Sequence, residues 1–253
     1  MSLLNKLKTS ANTTGIKGGK EKDTLGGGGV QDTGLYGFTL DSAYFTEAKS
    51  GALGIVLNLV LDSGAKYSET FYVTTGKEKG CNPYYEKNGE KTYLPSYVKM
   101  NSFVEAVTGK EISLQNTEER VVDIYDYETQ TTIPTKVEML VDLLKTTGFV
   151  GVHKIRSNKQ VKGDNGYIDS PDERFTNQID KFFNANKQTH SEQSAGVEAS
   201  FVTKWVEKFG NNVIDRYKEV KGVAAGAPRA TPPAQTPAGQ ASAPADDDLF
   251  GDE

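Results

Sequence analysis

From Leu53 to Leu61 the chain reads Leu-Gly-Ile-Val-Leu-Asn-Leu-Val-Leu, with Leu53, Ile55, Leu57, Leu59 and Leu61 at every second position. No other segment constrains the fold as tightly. A period of two places all five aliphatic side chains on one face of a β-strand, with Val56 and Asn58 on the other, so one face enters a core. Asp62-Ser63-Gly64-Ala65 is a turn, and the β-forming run from Tyr67 to Thr75 returns as the second arm of a hairpin. Upstream, Leu35 to Leu40 and Ala43-Tyr44-Phe45 read as one strand with a break. Three strands joined by short turns so early favour a meander or barrel over alternating strands and helices.

Further strands are expected where alternation returns. Val122 and Ile124 lie opposite Tyr125 and Tyr127; Val137, Met139, Val141 and Leu143 repeat the pattern, although Leu140 and Leu144 leave a helical turn open. Phe149 to Ile155 is the last clear strand. Tyr97 to Val107 carries Val98, Phe103, Val104 and Val107 at helical spacing and stops at Gly109. The remainder reads as helical. Ser170-Pro171-Asp172-Glu173 has the form of a helix start, and Phe175, Ile179, Phe182 and Phe183 mark an apolar face after it. Glu198 to Phe209 and Asn211 to Val220 give two more helices. Their apolar faces read as packing surfaces and not as a cofactor box.

The two ends differ from the middle. Residues 1–34 carry five lysines among Thr, Asn and Gly and too few large apolar groups to offset chain entropy. They form either a basic arm that touches DNA or a partner subunit, or a solubilising leader. Residues 222–245 are an Ala/Pro/Gly linker reaching roughly 25 to 30 Å. The segment 246–253 is an acidic tail. A single core of residues 35–221 with disordered N- and C-terminal extensions suits the 253-residue length better than two domains.

The formal net charge of −5 argues against a nucleic-acid binder until its location is considered. Five of the 34 acids fall in the last eight residues, which hold no base, and what remains is 29 acids against 29 bases. A neutral body can still carry a local positive groove.

Little in the sequence suits catalysis. No phosphate-loop, nucleophile-elbow, HExxH or EF-hand pattern is present. With Cys81 as the one cysteine and His153 and His190 as the two histidines, neither an intramolecular disulfide nor a Cys/His zinc set is available. The acids Glu118, Glu119, Asp123, Asp126 and Glu128 alternate with hydrophobics as a solvated strand face would. The expectation is therefore a protein that is not an enzyme, with no catalytic residue, metal or cofactor. The N-terminus lacks the apolar stretch of a secretory signal, and no apolar run approaches membrane-spanning length, so a cytoplasmic protein with no membrane contact is expected.

Binding has better material. Unpaired strands are held by cations that follow the phosphates and by flat rings on which bases stack, and neither demand fixes a motif. Cations and tyrosines mix in three stretches, giving Lys66, Tyr72, Lys77, Lys79, Tyr84, Tyr85, Lys87, Lys91, Tyr93, Lys154, Arg156, Lys159 and Lys162 as candidate nucleic-acid contacts. Exposed lysines also solvate any surface, and strand tyrosines also fill barrels. Tyr84, Tyr85 and Tyr93 stand out because their segment, Gly76 to Pro95, lacks the apolar period that would explain them as core. In the tail, Asp246, Asp247, Asp248, Leu249, Phe250, Asp252 and Glu253 make a portable ligand. Phe250 suits an apolar pocket, and the acids suit the Lys or Arg around it.

Three segments carry a resemblance. They are Phe149-Val150-Gly151-Val152-His153-Lys154-Ile155-Arg156-Ser157-Asn158-Lys159-Gln160, Glu173 to Phe183, and the acidic-aromatic tail. With the several short strands before them, they make the chain resemble a bacteriophage single-stranded-DNA-binding protein of the OB-fold type. The resemblance implies a mainly β or α+β fold, an OB-fold-like five-stranded barrel with appended helices, and DNA along the strand face. It implies coating of single-stranded DNA in replication, recombination and repair, with the tail contacting a polymerase, helicase-primase or nuclease in the host cell cytoplasm. Self-association into a homo-oligomer is left open. Three other readings stand beside it: a strand-annealing or recombination mediator, a virion or scaffold protein without nucleic-acid binding, and a metal-dependent nuclease.

Overall fold

The structure, a computed structural model, describes residues 29–126, 129–163 and 166–220. The Asp246–Glu253 tail, the 222–245 linker, most of the N-terminal arm and Tyr127 lie outside the described residues.

The chain is mainly β, with a few helices. One sheet has eight strands: β1 (Gly34–Glu47), β2 (Leu53–Leu61), β3 (Lys66–Tyr72), β6 (Thr117–Asp126), β7 (Thr131–Leu140), β8 (Thr147–Gly163), β9 (Gly166–Phe183) and β10 (Val213–Asp215). A second sheet is the hairpin of β4 (Tyr84–Lys87) and β5 (Glu90–Tyr93). Among the described residues three α-helices complete the fold: α1 (Pro95–Thr108), α2 (His190–Ala195) and α3 (Phe201–Phe209). Among the described residues no helix is long and apolar enough to cross a membrane.

β1 organises the large sheet. One of its edges pairs with β2, which pairs with β3; its other edge pairs with β8 over Gly34–Thr39 and then meets β7 at Tyr44. The break foreseen after Leu40 is a β-bulge, a register shift between Leu40 and Ser42. The extra residue reverses the alternation, so Leu40 and Ala43 both face the core while Tyr44 turns to the opposite face. Ile55, Leu57, Leu59 and Leu61 are buried as their alternation predicts, while Leu53, at the strand end, is exposed. α1 sends Met100, Phe103 and Val104 into the same core, where Phe103 stacks on Phe182 of β9 at 4.2 Å. On the far side of β1 and β2, the β6–β7 hairpin covers Tyr44 and Val56 with Val122, Ile124, Val137 and Met139.

The helix expected after Ser170 does not form. Glu173 to Phe183 belongs to β9, which runs antiparallel to β8. Two irregularities explain the misleading pattern. Gly151 faces Lys181 whereas the next residue, Val152, faces Ile179, so Asp180 is a bulge. It puts Ile179 and Phe182 on the core side three residues apart, which imitates a helical period. Ser170-Pro171-Asp172 is a second, larger bulge, in which Ser170 Oγ accepts from the Asp172 N–H and the Tyr217 hydroxyl donates to the Pro171 carbonyl. The segment from Asn211 to Val220 is also not a helix. Its short strand β10 pairs in parallel with Lys154–Arg156 of β8. Glu198 to Phe209 is helical as expected from Phe201 onward, as α3.

The sheet curls but does not close: β3 and β9 exchange no ladder bonds. Side chains bridge the gap instead. The Ile179 N–H donates to Glu69 Oε2 at 2.7 Å, and the Tyr67 hydroxyl donates to the same oxygen at 2.6 Å. Lys99, on α1, donates to the Ile179 carbonyl at 2.9 Å. Burial pushes the Glu69 carboxyl up and the Lys99 ammonium down, so each group resists carrying its charge there.

α3 closes the outer face of β8 and β9 with Trp205, whose indole N–H donates to Asp180 Oδ2 at 2.7 Å. Gly151 makes this close approach available, because a Cβ there would lie 2.7 Å from Trp205 Cζ2. Gly151→Ala therefore overpacks the site and is expected to lower stability by about 1 to 3 kcal/mol. A urea midpoint unchanged from the parent protein would contradict this packing.

Candidate nucleic-acid interface

Seven of the candidate contacts fall between Gly76 and Pro95, where the sequence shows no core period. The segment is ordered around a hairpin. In β4 and β5, Tyr84 pairs with Tyr93, Tyr85 with Thr92, Glu86 with Lys91, and Lys87 with Glu90. Alternation thus puts Tyr84, Glu86, Lys91 and Tyr93 on one face and Tyr85, Lys87, Glu90 and Thr92 on the other. Asn88 and Gly89, both with positive φ, make the two-residue connection.

A lone two-stranded hairpin is marginal in water, so its root needs fastening. The Leu94 N–H donates to the Pro83 carbonyl at 2.9 Å, and the Thr75 N–H donates to the Asn82 carbonyl at 2.8 Å. The Asn82 N–H in turn donates to Thr75 Oγ1 at 2.9 Å. Lys77 and Lys79 bound a single 3-10 turn, and the Lys77 N–H donates to the Ser50 carbonyl at 2.8 Å, fixing the segment to the turn between β1 and β2. The Ser96 hydroxyl donates to the Tyr72 carbonyl, which ties the start of α1 to the end of β3.

On the hairpin face, Lys91 Nζ sits 4.8 Å from the centre of the Tyr84 ring. This cation–π contact holds the ammonium beside an aromatic surface without neutralising it. Tyr93 stacks on Tyr97 of α1 with ring centres 5.0 Å apart and planes 18° apart, and Tyr93 stays 56% exposed. Tyr72 lies at the same end of the molecule, opposite Gly54 on β2. Lys77 is partly committed, with Nζ 3.1 Å from Glu47, although both side chains are exposed. Tyr72, Lys77, Lys79, Tyr84, Tyr85, Lys87, Lys91 and Tyr93 are therefore brought together near the Glu47–Ala52 turn.

The others are elsewhere. Lys66 is exposed at the opposite end of β3, paired with Val60. Lys154, Arg156, Lys159 and Lys162 follow β8 past its last pairing with β1, at Gly34, and so lie beyond the other end of β1. There the cations are treated unequally. Lys154 pairs with Asp32 at 2.9 Å and lies over the Phe175 ring. Arg156 bonds Glu173 at 2.5 Å and Asp215 at 2.9 Å, and its guanidinium stacks 4.6 Å from the Tyr217 ring. The Glu173 hydrogen bond, with help from Asp215, holds its proton more tightly than usual. Lys159 and Lys162 are exposed near the end of β8, where Lys162 pairs with Tyr167 of β9, which is 73% exposed.

Tyr97, beside Tyr93, and Tyr167, Phe175 and Tyr217, beside the β8 cations, are aromatic neighbours that the sequence pattern did not single out as contacts. Tyr97 carried a usable signal, since it follows Tyr93 by four residues beside the predicted helix start. Phe175 and Tyr217 carried none, because their placement depends on β9 and on the stretch after β10, both read as helical.

No protein-family model matches the chain, and no curated protein matches it.

Because Arg156 joins β8, β9 and the segment after β10, its removal acts on stability. Arg156→Gln is expected to lower the melting temperature while leaving the hairpin untouched. An unchanged thermal transition would show that the three contacts are incidental.

Proposed function

We propose that this chain binds single-stranded DNA without catalysing a reaction, coating and protecting it during phage DNA replication, recombination and repair. The observation that carries the reading is the β4–β5 hairpin. It is a fastened platform with the exposed Tyr93 ring, Lys91 and its cross-strand neighbour Glu86 on one face, at an end of the molecule that also carries Lys79 and Lys87. Stacking on such rings contributes about 1 to 3 kcal/mol per base and tolerates every base. Cations beside the rings meet the phosphates. An unpaired strand offers free base faces to this platform, whereas a duplex hides them.

The OB-type reading belongs to the same proposal. The pairing order β9-β8-β1-β2-β3 around a curled sheet, with α1 between β3 and β8 in the chain, supports a partly open five-stranded barrel of that kind. In this reading β10 and the β6–β7 hairpin are additions to it. The acids around Leu249 and Phe250 are proposed to recruit a polymerase, helicase-primase or nuclease on their tether.

The test is a fluorescence-anisotropy titration of labelled oligo-dT and a matched duplex at several salt concentrations. Preference for the single strand is expected, with affinity falling as salt rises by a log-log slope of about −0.7 per phosphate contacted. Lys91→Gln is expected to make that slope shallower by about 0.7. Equal affinity for duplex and single strand, or no binding, would remove the reading.

A further inference from the structure

We propose that Tyr97 is a positioning residue that backs one face of the Tyr93 ring, so that the hairpin offers one stacking face and holds one unpaired base on it. This rests on the single-strand reading above and adds how the ring is held and what it accepts.

Alone, an exposed tyrosine on a short hairpin is loosely held. Its ring has rotamer freedom, and a base stacking on it must bear the cost of ordering the side chain. Here that cost is met in advance. Tyr97 occupies the first turn of α1, is half-buried, and packs against the main core. Its neighbours hold it in place: Ser96 bonds the Tyr72 carbonyl, and Lys99 bonds the Ile179 carbonyl across the open seam at 2.9 Å. The Tyr93 ring lies against this fixed surface in near-parallel stacking, 5.0 Å and 18°. Tyr97 packs against one face of the Tyr93 ring, and Tyr93 is still 56% exposed. A flat ligand adds to the pile from one side only. On the same face Tyr84 lies directly across from Tyr93, and Lys91, paired across the strands with Glu86, holds its ammonium 4.8 Å from the centre of the Tyr84 ring. The ligand that suits a single ring face with one adjacent cation is a nucleobase with its phosphate, its face freed from pairing and stacking. A closed duplex presents no such face.

A purely structural Tyr97 would tie the hairpin to α1 and do nothing else. The two roles separate in the choice of substitution and of readout. Tyr97→Phe keeps the ring. Tyr97→Leu fills much of the space and keeps the apolar contact with the core but removes the stack. Full-length proteins are titrated with oligo-dT containing one 2-aminopurine, whose emission is quenched when the base stacks. Melting temperatures are measured alongside, to confirm that each variant is folded.

The parent protein and Tyr97→Phe are expected to bind equally and to quench the probe. Tyr97→Leu is expected to bind about tenfold more weakly, in keeping with the loss of about one base stack, and to lose most of the quenching. Its salt slope should be unchanged, because the phosphate contacts are intact. The proposal is overturned if Tyr97→Leu binds and quenches like the parent, if Tyr97→Phe fails to restore what Tyr97→Leu loses, or if the loss appears in the salt slope instead. Absence of single-strand binding by the unchanged protein would end the functional reading itself and this proposal with it. Binding that survives Tyr97→Leu intact would end this proposal alone.

Discussion

The gap between β3 and β9 decides the arrangement of everything around it. Two strand edges approach there without pairing, and the backbone groups of Ile179 are satisfied by Glu69 from one side and Lys99 from the other. Buried backbone groups left without partners are costly, so these two side chains substitute for a missing ladder. Since Lys99 belongs to α1, the same bonds fix that helix against the sheet. The first turn of α1 then carries Tyr97 to Tyr93, and Ser96 to the end of β3. The geometry of an exposed hairpin is in this way set by contacts deep in the seam.

Bulges give the sheet its second constraint, and they divide what the sequence made legible from what it hid. Unbroken alternation was readable: Ile55 to Leu61 and Val122 with Ile124 face inward as their spacing requires. The Leu40–Ser42 bulge was visible as a break because apolar residues flank it on both sides. At Asp180 the inserted residue brought Ile179 and Phe182 to one face three apart, a spacing that a helix also produces. Ser170-Pro171-Asp172-Glu173 compounded the error, because a side chain that caps a helix start equally well closes a tight bulge. Local chemistry did not separate the two; the pairing with a distant β8 did.

The candidate interface shows the same division. The mixture of rings and cations from Lys77 to Tyr93 was legible, since nothing about its period suits a core. Its hairpin and the Tyr84–Tyr93 pair were not, as β4 and β5 are four residues each. Nor did the sequence separate Lys91, held beside a ring, from Arg156, enclosed by two carboxylates and Tyr217. Formal charge treats the two alike, although Arg156 bonds two carboxylates and Lys91 lies over a ring. The grouping of the thirteen candidate contacts at opposite ends of β1 depends on strand register, which is a long-range property.

In the proposed binding mode, unpaired DNA lies on the β4–β5 hairpin and the first turn of α1. Hydrogen–deuterium exchange of the full-length protein with and without oligo-dT tests it most directly. Slowed exchange across residues 84–97, with α3 unaffected, is the predicted footprint. Unchanged exchange across 84–97, with protection confined to α3 or to the far end of β8 and β9, would place the DNA elsewhere.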